Sequence, residues 1–468
     1  MRLKSPSFPA ALNGTKVFVP SRKSRFVSKE HGFAFCRSVV KSILISLLLL
    51  LCFPLPFALA QGVAKPLSLD DCIRLAEAAP SSFTRARLQT EIARKGITGA
   101  YANFLPQLSI ANTFTYNSPL LYGRQIFSFI ALNGVHEYSS LATSTLDIDT
   151  SGRLLALLQR ARANRDAAHA GLVLSKRDLG RAVTASYYRV LLVGKLVSSA
   201  QDNLREATAF EDRVRRLVQD GESSNADLVK ASLETALLQH AVEQSSLEQQ
   251  LANHDLASFW TSDVDKQFDL SDTLDSSPAP PEPSAVSATQ RPYLQRPEFN
   301  FLEAQAAGYR ADAHQARAQL LPQLSLAFQY GIDAQHVTIR DRGYAGYARL
   351  NIPVFDWFRA RSAQRQYELQ AAQVNTDRDI ARRTFSKEYQ DALVAVSSAF
   401  AQIEVTERQL GLAKENLRLS RVRYEGGEGT ALDVVTAQTQ HAQASIDFYT
   451  ARANYLNGQS ILKVASGQ

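Results

Sequence analysis

Read for the spacing of its apolar residues, the chain changes period twice, each time at the same five residues. Leu-Pro-Gln-Leu-Ser stands at 105–109 and again at 321–325, an offset of 216. Before each copy the apolar positions keep a helical spacing; after it they alternate. In the first copy Leu108, Ile110, Phe114 and Tyr116 fall on one side, against Gln107, Ser109, Thr113, Thr115 and Asn117. In the second, Leu324, Leu326, Phe328, Tyr330 and Ile332 oppose Gln323, Ser325, Gln329 and Gly331. A period of two marks a strand with one apolar face. Pro106 and Pro322 force the switch, because proline lacks an N–H and drives the preceding Leu105 or Leu321 out of the helical region.

The rest of the chain arranges itself around these junctions. Ser68 and Asp71 predict a capped helix from Leu67 to Ala79, ended by Pro80. A second helix runs from Ser81 or Ser82 to Phe104. The first hairpin occupies 107–149: a strand to about 118, a loop of about 20 residues, and a return strand in which Leu146 and Ile148 alternate with Thr145, Asp147 and Asp149. Arg153 to Gln219 holds no proline, which predicts one helix of about 100 Å at 1.5 Å per residue. Within it Leu172, Leu179, Ser186, Val193, Ala200, Ala207 and Val214 repeat every seven residues, with a companion series of Ala182, Leu196, Phe210 and Leu217. That is the coiled-coil spacing. A turn at 220–224 leads to a return helix from Asn225 to Trp260. Residues 263–297 lose periodicity, carry six prolines and read as a connector.

The second half repeats the plan. A helix at 298–320 meets Leu321-Pro322, and a hairpin at 323–354 follows, with a short polar loop. A helix from Asp356 to Glu425 carries the heptad series Tyr389, Val396, Ile403, Leu410, Leu417 and Tyr424. Gly426-Gly427-Glu428-Gly429 turns the chain into a last helix from Thr430 to Val464. The organisation is therefore two structural repeats, 61–262 and 298–468, with helical turns near 221 and 427.

Each chain offers four amphipathic strands of roughly 10 residues, the length a tilted strand needs to cross a bilayer. Lipid forbids open sheet edges, so such strands must close into a barrel of at least eight. Four cannot close, and copies must pool them: eight strands in a dimer, whose interior side chains would fill, or 12 in a trimer, with room for a lumen. Tyr116, Tyr122, Phe127, Phe129, Tyr138, Tyr344, Tyr347, Phe355, Trp357 and Phe358 cluster around the hairpins, as interfacial aromatics would.

The junctions, the stretch LNIPVFDWFRAR at 350–361 and the turns RRLVQDGESSNADLVKA (215–231) and RYEGGEGTALDVVTAQ (423–438) together resemble the TolC-type outer-membrane efflux protein family over both repeats. The resemblance implies a fold that is mainly α with transmembrane β: a homotrimer sharing a 12-stranded β-barrel in the outer-membrane lipid of a Gram-negative cell, continued by a long coiled-coil α-barrel in the periplasm. It implies a passive conduit of a tripartite efflux or type I secretion system. The partners would be a periplasmic adaptor (membrane fusion) protein and an inner-membrane transporter of RND, ABC or MFS type. The two turns would be adaptor-docking tips, placing Gly221, Glu222, Gly427 and Glu428 there. Helix C-capping accounts for the glycines equally well. Asp433 would face the pore as a carboxylate ring at a constriction, where three copies would select cations; as a first-turn aspartate it is also simply favoured by the helix dipole. Asp227 is its counterpart in the first repeat. Where the family often carries an arginine that locks the closed tip, this chain has Gly429, so the resemblance does not supply its closing mechanism. The alternative is a periplasmic coiled-coil adaptor or scaffold without a channel.

Composition and the remaining motifs narrow the picture further. Residues 1–60 read as a secretory signal: basic residues from Arg2 to Lys41, an apolar run at 42–53, and Ala58-Leu59-Ala60 before Gln61. The run is shorter than the roughly 20 residues of a membrane-spanning helix. Nine of the 52 Lys and Arg and one of the 45 Asp and Glu lie in this leader, leaving 43 against 44. The formal +7 of the whole chain therefore argues nothing for nucleic acid, which is not an expected partner. Of three cysteines only Cys72 lies beyond it, so no internal disulfide is expected; Leu51 makes Cys52 a poor lipidation site. The Gly-rich run 426–429 joins two helices and lacks a following Gly-Lys-Ser/Thr, so it is no phosphate loop. His136, His169, His240, His254, His314, His336 and His441 are scattered without metal-ligand spacing, and no catalytic motif is present. No cofactor, metal or catalytic residue is expected.

Overall fold

The structure is a computed structural model that describes residues 66–122, 125–128, 135–266, 268–275, 280 and 291–468. The expected leader with its cleavage point and Cys52, residues 123–124 and 129–134 of the first hairpin, and most of 276–290 in the connector lie outside the described residues.

The elements in chain order are α1 (Leu69–Ala78), α2 (Ser82–Ala102), β1 (Gln107–Tyr116), β2 (Pro119–Tyr122), β3 (Gln125–Ser128), β4 (His136–Ile148), α3 (Arg153–Gln219), α4 (Asn225–Ala257), α5 (Pro297–Ala318), β5 (Gln323–Ala334), β6 (Arg342–Asn351), α6 (Arg359–Glu425) and α7 (Ala431–Ala465). α1 opens on the capping box that its sequence announces, with Asp71 N–H bonding the Ser68 hydroxyl and the Asp71 carboxylate returning to Ser68 N–H. α3 and α6 are each 67 residues long, about 100 Å at 1.5 Å per residue.

Each long helix is covered by two shorter ones laid end to end. Over the first part of α3 lies α2, where Arg162 bonds the Tyr101 hydroxyl at 2.7 Å and Thr90 the Ala168 carbonyl at 3.3 Å. Over the rest lies α4, where Ser232 meets Glu211 at 2.9 Å. α6 repeats this with α5 (Arg378 to Glu303, 2.8 Å) and α7 (Asn416 to Gln440, 3.1 Å). α5 packs against both α3 and α6, and Ala304, Ala306, Ala311, Ala313 and Ala316 are buried along it. Small residues let it approach two neighbours at once.

The sheet is antiparallel in the order β1-β4-β5-β6. The two hairpins therefore lie side by side, joined at β4–β5, with β1 and β6 as open edges. Three expectations need correction. The loop expected in the first hairpin carries a small antiparallel ribbon, Pro119 opposite Ser128 to Tyr122 opposite Gln125. α4 stops at Ala257 rather than Trp260, because Phe259 and Trp260 bond back three residues and tighten the last turn. The connector is tied down where it is described. Leu270 bridges Leu67 in parallel, and Leu274 is buried, its carbonyl accepting from Arg452 at 2.5 Å.

The main core lies midway along the helices. Cys72, Ala76, Leu179, Val183, Tyr187, Val190, Ala252 and Leu256 pack as one cluster of α1, α3 and α4. The Tyr187 hydroxyl donates to Asp272 at 2.8 Å, which fastens the connector to α3. Burial pushes the Cys72 thiol up to about 11. Beside this core an ionic cluster joins both halves. Arg177 of α3 grips Glu298 with two bonds (2.9 and 3.1 Å), and Arg296 bonds Glu298 and, across to α6, Glu388, each at 2.6 Å. Burial alone would raise the Glu298 carboxyl, but the bonds from Arg296 and Arg177 prevail and hold it at about 2.

Candidate functional site

The two long helices end alike. α3 closes on Asp220 and α6 on Gly426, and the next residue is left-handed: Gly221 at φ 78° and Gly427 at φ 74°. Glu222 N–H reaches back to the Leu217 carbonyl (2.8 Å) and Gly221 N–H to Val218 (3.2 Å). In the second turn Glu428 N–H reaches Arg423 (2.9 Å) and Gly427 N–H reaches Tyr424 (3.1 Å). This paired closure satisfies the last carbonyls of each helix. The helices that follow open alike too, with Asp227 N–H on the Ser224 hydroxyl and Asp433 N–H on the Thr430 hydroxyl, both at 3.2 Å. The Asp433 carboxylate accepts the Thr430 N–H and hydroxyl, each at 2.9 Å. Those bonds, with the Arg423 charge beside them, hold its carboxyl below the usual range. Local capping thus explains Asp433, yet the residue is exposed and its charge is available to solvent.

The fold brings the two turns together. The Phe210 and Tyr424 rings meet edge to face at 5.2 Å, the Ser223 and Tyr424 hydroxyls approach to 3.3 Å, and Arg213 pairs with Glu425. Phe210, Val214, Ala231, Leu417, Ala431 and Val434 form one core from both hairpins. Gly221, Glu222, Gly427, Glu428 and Asp433 are exposed at this one end. A side chain at Gly429 would place its Cβ 3.2 Å from Tyr424 N and 3.3 Å from the Arg423 carbonyl carbon, so a larger residue would have to shift the last turn of α6.

Above the turns, the seam between the hairpins is polar, which the heptads did not foretell. Asn203 meets His441 at 3.1 Å, Glu206 meets Arg421 at 2.7 Å, and buried Glu234 meets Thr439 at 3.2 Å. Burial pushes the Glu234 carboxyl up. The Gln438 amide is buried with neither its nitrogen nor its oxygen bonded.

At the opposite end stands the sheet. Register puts Leu108, Ile110, Phe114 and Tyr116 of β1 on the same side as Tyr138, Ala142 and Leu146 of β4, Leu326, Phe328 and Tyr330 of β5, and Tyr344 and Leu350 of β6. The other side carries Ser109, Thr113, Thr143, Ser325, Gln329 and Arg349. Among the described residues nothing covers the apolar side: Leu108 is 76% exposed and Ile110 70%. Aromatic pairs mark its hairpin end, Phe114–Tyr138 at 4.9 Å and Phe328–Tyr344 at 6.2 Å. Pro106 and Pro322 stand where β1 and β5 begin, and the Pro322 carbonyl accepts the Thr150 hydroxyl at 2.6 Å.

Where strand returns to helix, the halves differ. In the first, Asp149 accepts Leu154 N–H (3.1 Å) and Leu155 N–H (2.8 Å), and Gly152 takes the left-handed turn at φ 78°. In the second, Asp356 accepts Ala360 N–H (2.8 Å), and two aromatic residues take left-handed conformations, Trp357 at φ 55° and Phe358 at φ 62°. For such residues that costs on the order of 1–3 kcal/mol each. The two aromatics were visible in the sequence; their backbone strain was not.

No helix among the described residues is long and apolar enough to cross a membrane, which says nothing of the strands. Among the described residues no group of three or more His, Cys, Asp or Glu is placed to hold a metal ion.

The model of the outer membrane efflux protein family matches residues 72–260 and 290–468. Nodulation protein T of Rhizobium leguminosarum bv. viciae is 26% identical over 312 residues, 64% of this chain and 63% of the relative. The pyoverdine export outer membrane protein OpmQ of Pseudomonas putida is 25% identical over 304 residues, 64% of each. The chain thus spans just under two thirds of the length of either relative. Among solved structures, the outer membrane protein VceC of Vibrio cholerae superposes with a TM-score of 0.74 at 18% identity, over 85% of this chain and 96% of that one. The chain shares that fold.

Proposed function

The chain belongs to the outer membrane efflux protein family, and from that premise we propose that it is a passive channel through a Gram-negative outer membrane. The observation that carries this reading is the uncovered sheet. Its apolar side is exposed and its edges β1 and β6 are unpaired among the described residues. In lipid an unpaired edge is not tolerated. Three copies, each pairing β1 with a neighbour's β6, would close 12 strands around the polar side, wide enough for a lumen. The helical hairpins would continue the conduit by about 100 Å into the periplasm. The channel has no energy source or reaction of its own. An inner-membrane transporter would drive the cargo, coupled through an adaptor that meets the exposed turns at Gly221, Glu222, Gly427 and Glu428. At the same end three Asp433 carboxylates would form a ring favouring cations. A coiled-coil adaptor without a channel is the weaker reading, because it leaves the apolar sheet side and both sheet edges without a partner.

Conductance of the purified full chain in planar bilayers tests this. Discrete channels with cation preference are expected, and Asp433→Asn should weaken that preference. Failure to conduct would overturn the channel, and unchanged selectivity in the variant would remove Asp433 from the pore.

A further inference from the structure

We propose that the strand-to-helix junction of the second repeat is a binding surface for anionic phospholipid headgroups, and that the first junction is not. The inference rests on the membrane reading of the sheet. Phe355, Trp357 and Phe358 form one ring cluster, with Phe355 4.9 Å from Trp357 and 6.0 Å from Phe358. Yet the cluster has no cover among the described residues: Trp357 is 83% exposed and Phe358 63%. Both hold the left-handed backbone that the first junction assigns to Gly152. A glycine would do that turn with less strain, so the rings are explained by a partner outside the chain.

Position says which partner. Leu350 lies on the apolar side of the sheet, opposite Leu324, and Ile352 and Val354 continue its alternation and are exposed. From Tyr344, in the aromatic band at the hairpin end, to Val354 is ten residues, about 33 Å of extended chain. A strand tilt of roughly 40° reduces that to about 25 Å, the height of the apolar band of an outer-membrane barrel. The ring cluster therefore falls where the acyl chains end on the helix side. There the charge is right. Arg359 and Arg361 are exposed, and neither has an ion-pair partner among the described residues, whereas Arg365 is paired with Glu368. Aromatic rings at the level of the headgroups with free guanidinium groups beside them suit phosphodiester headgroups. The first junction has Asp149, Thr150, Ser151 and Gly152 instead, and its Arg153 is paired with Asp147 at 2.9 Å.

The chain has two tryptophans, so Trp260→Phe leaves Trp357 as the sole reporter. The full-length protein is reconstituted in vesicles carrying nitroxide quenchers either near the headgroup or deep in the acyl chain. Trp357 emission should fall by about half or more with the shallow quencher and little with the deep one, as for a ring at headgroup level. Leu326→Trp, on the apolar side opposite Ala348 and so near the middle of the span, with both native tryptophans changed to Phe, should show the reverse. Trp357 quenched by neither, with Leu326→Trp quenched, would overturn the proposal and leave the channel standing, with a neighbouring copy or the lumen covering the rings. Neither site quenched would overturn the membrane reading as well. With headgroup-labelled phosphatidylglycerol against phosphatidylcholine, Trp357 should prefer the anionic lipid. Arg359→Gln and Arg361→Gln should each lower that preference by up to about fivefold. An unchanged preference would overturn the role of the arginines.

Discussion

The two junctions at which a strand becomes a long helix solve one geometric problem in two ways. Both place an aspartate to accept N–H groups of the first helical turn, Asp149 in one and Asp356 in the other. Both need a left-handed residue before the helix. The first junction uses Gly152 and satisfies itself internally, with Thr150 bonded to the Pro322 carbonyl and Arg153 paired to Asp147. The second uses Trp357 and Phe358 and leaves their rings and two arginines facing outward. What a duplicated chain keeps equal is what its own fold requires; where its halves diverge, the difference points to a partner outside. The helical turns at the far end make the converse point. There Gly221 and Gly427, Glu222 and Glu428, and Asp227 and Asp433 make matching bonds, because the closure of a helix is an internal matter.

Besides the β4–β5 pairing and the core shared by the two turns, the ionic cluster of Arg177, Glu298, Arg296 and Glu388 ties the halves together, and disrupting it should have the largest effect. Arg296 is buried and bonded to both Glu298 and Glu388. Arg296→Ala leaves those carboxylates short of a partner and should destabilise the protein by about 3–5 kcal/mol, seen as an early loss of helical circular dichroism on heating. A shift within a few tenths of a kcal/mol would mean that the ionic cluster does not help to hold the halves together. The cluster also sets a pH window. Glu298 titrates at about 2 in the fold against 4.5 when free. A carboxyl depressed on folding stabilises fully above its free value and loses that contribution as pH falls through the folded one. Melting temperature should therefore drop between about pH 4.5 and 2 in the parent, and by less in Glu298→Gln.

Next come the junction aspartates. Asp149 serves two N–H groups and Asp356 one. Asp149→Ala should cost about 1–2 kcal/mol and Asp356→Ala about 1 kcal/mol, so the order of their melting temperatures checks the asymmetry. The smallest effect sharpens the contrast most. Gly152→Ala should destabilise by about 1 kcal/mol. Phe358→Gly should leave stability level or raise it by up to about 1 kcal/mol, by relieving left-handed strain. If Phe358→Gly instead destabilises as much as Gly152→Ala, the ring is packing for its own chain and the divergence is internal after all.

Much of this architecture could be read from spacing, for definite reasons. α3 was legible to both ends because no proline interrupts 153–219 and Gly152 and Gly221 bracket it. The strands were legible because one uncovered apolar side imposes strict alternation on β1 and β5. The β2–β3 ribbon was not, since four-residue strands are too short to show a period. Nor was Tyr187, the largest fully buried residue of α3, because the heptad series passes through its neighbour Ser186. α3 packs on several helices at once, so its buried face is wider than a single seam. The polar contacts between the hairpins were hidden for a related reason. Asn203, Glu234 and His441 lie far apart in sequence, and only the packing of α7 on α3 and α4 brings them together. At the turns, sequence named the exposed residues; the bonds that make Asp433 a cap emerged only with the fold.

One chain supplies too few strands to close a wall in lipid. The most direct test is the mass of the intact protein released from membranes in mild detergent. Three copies per particle are expected, each contributing its four-stranded sheet; a stable single chain at that stage would mean that the sheet closes no wall with its neighbours.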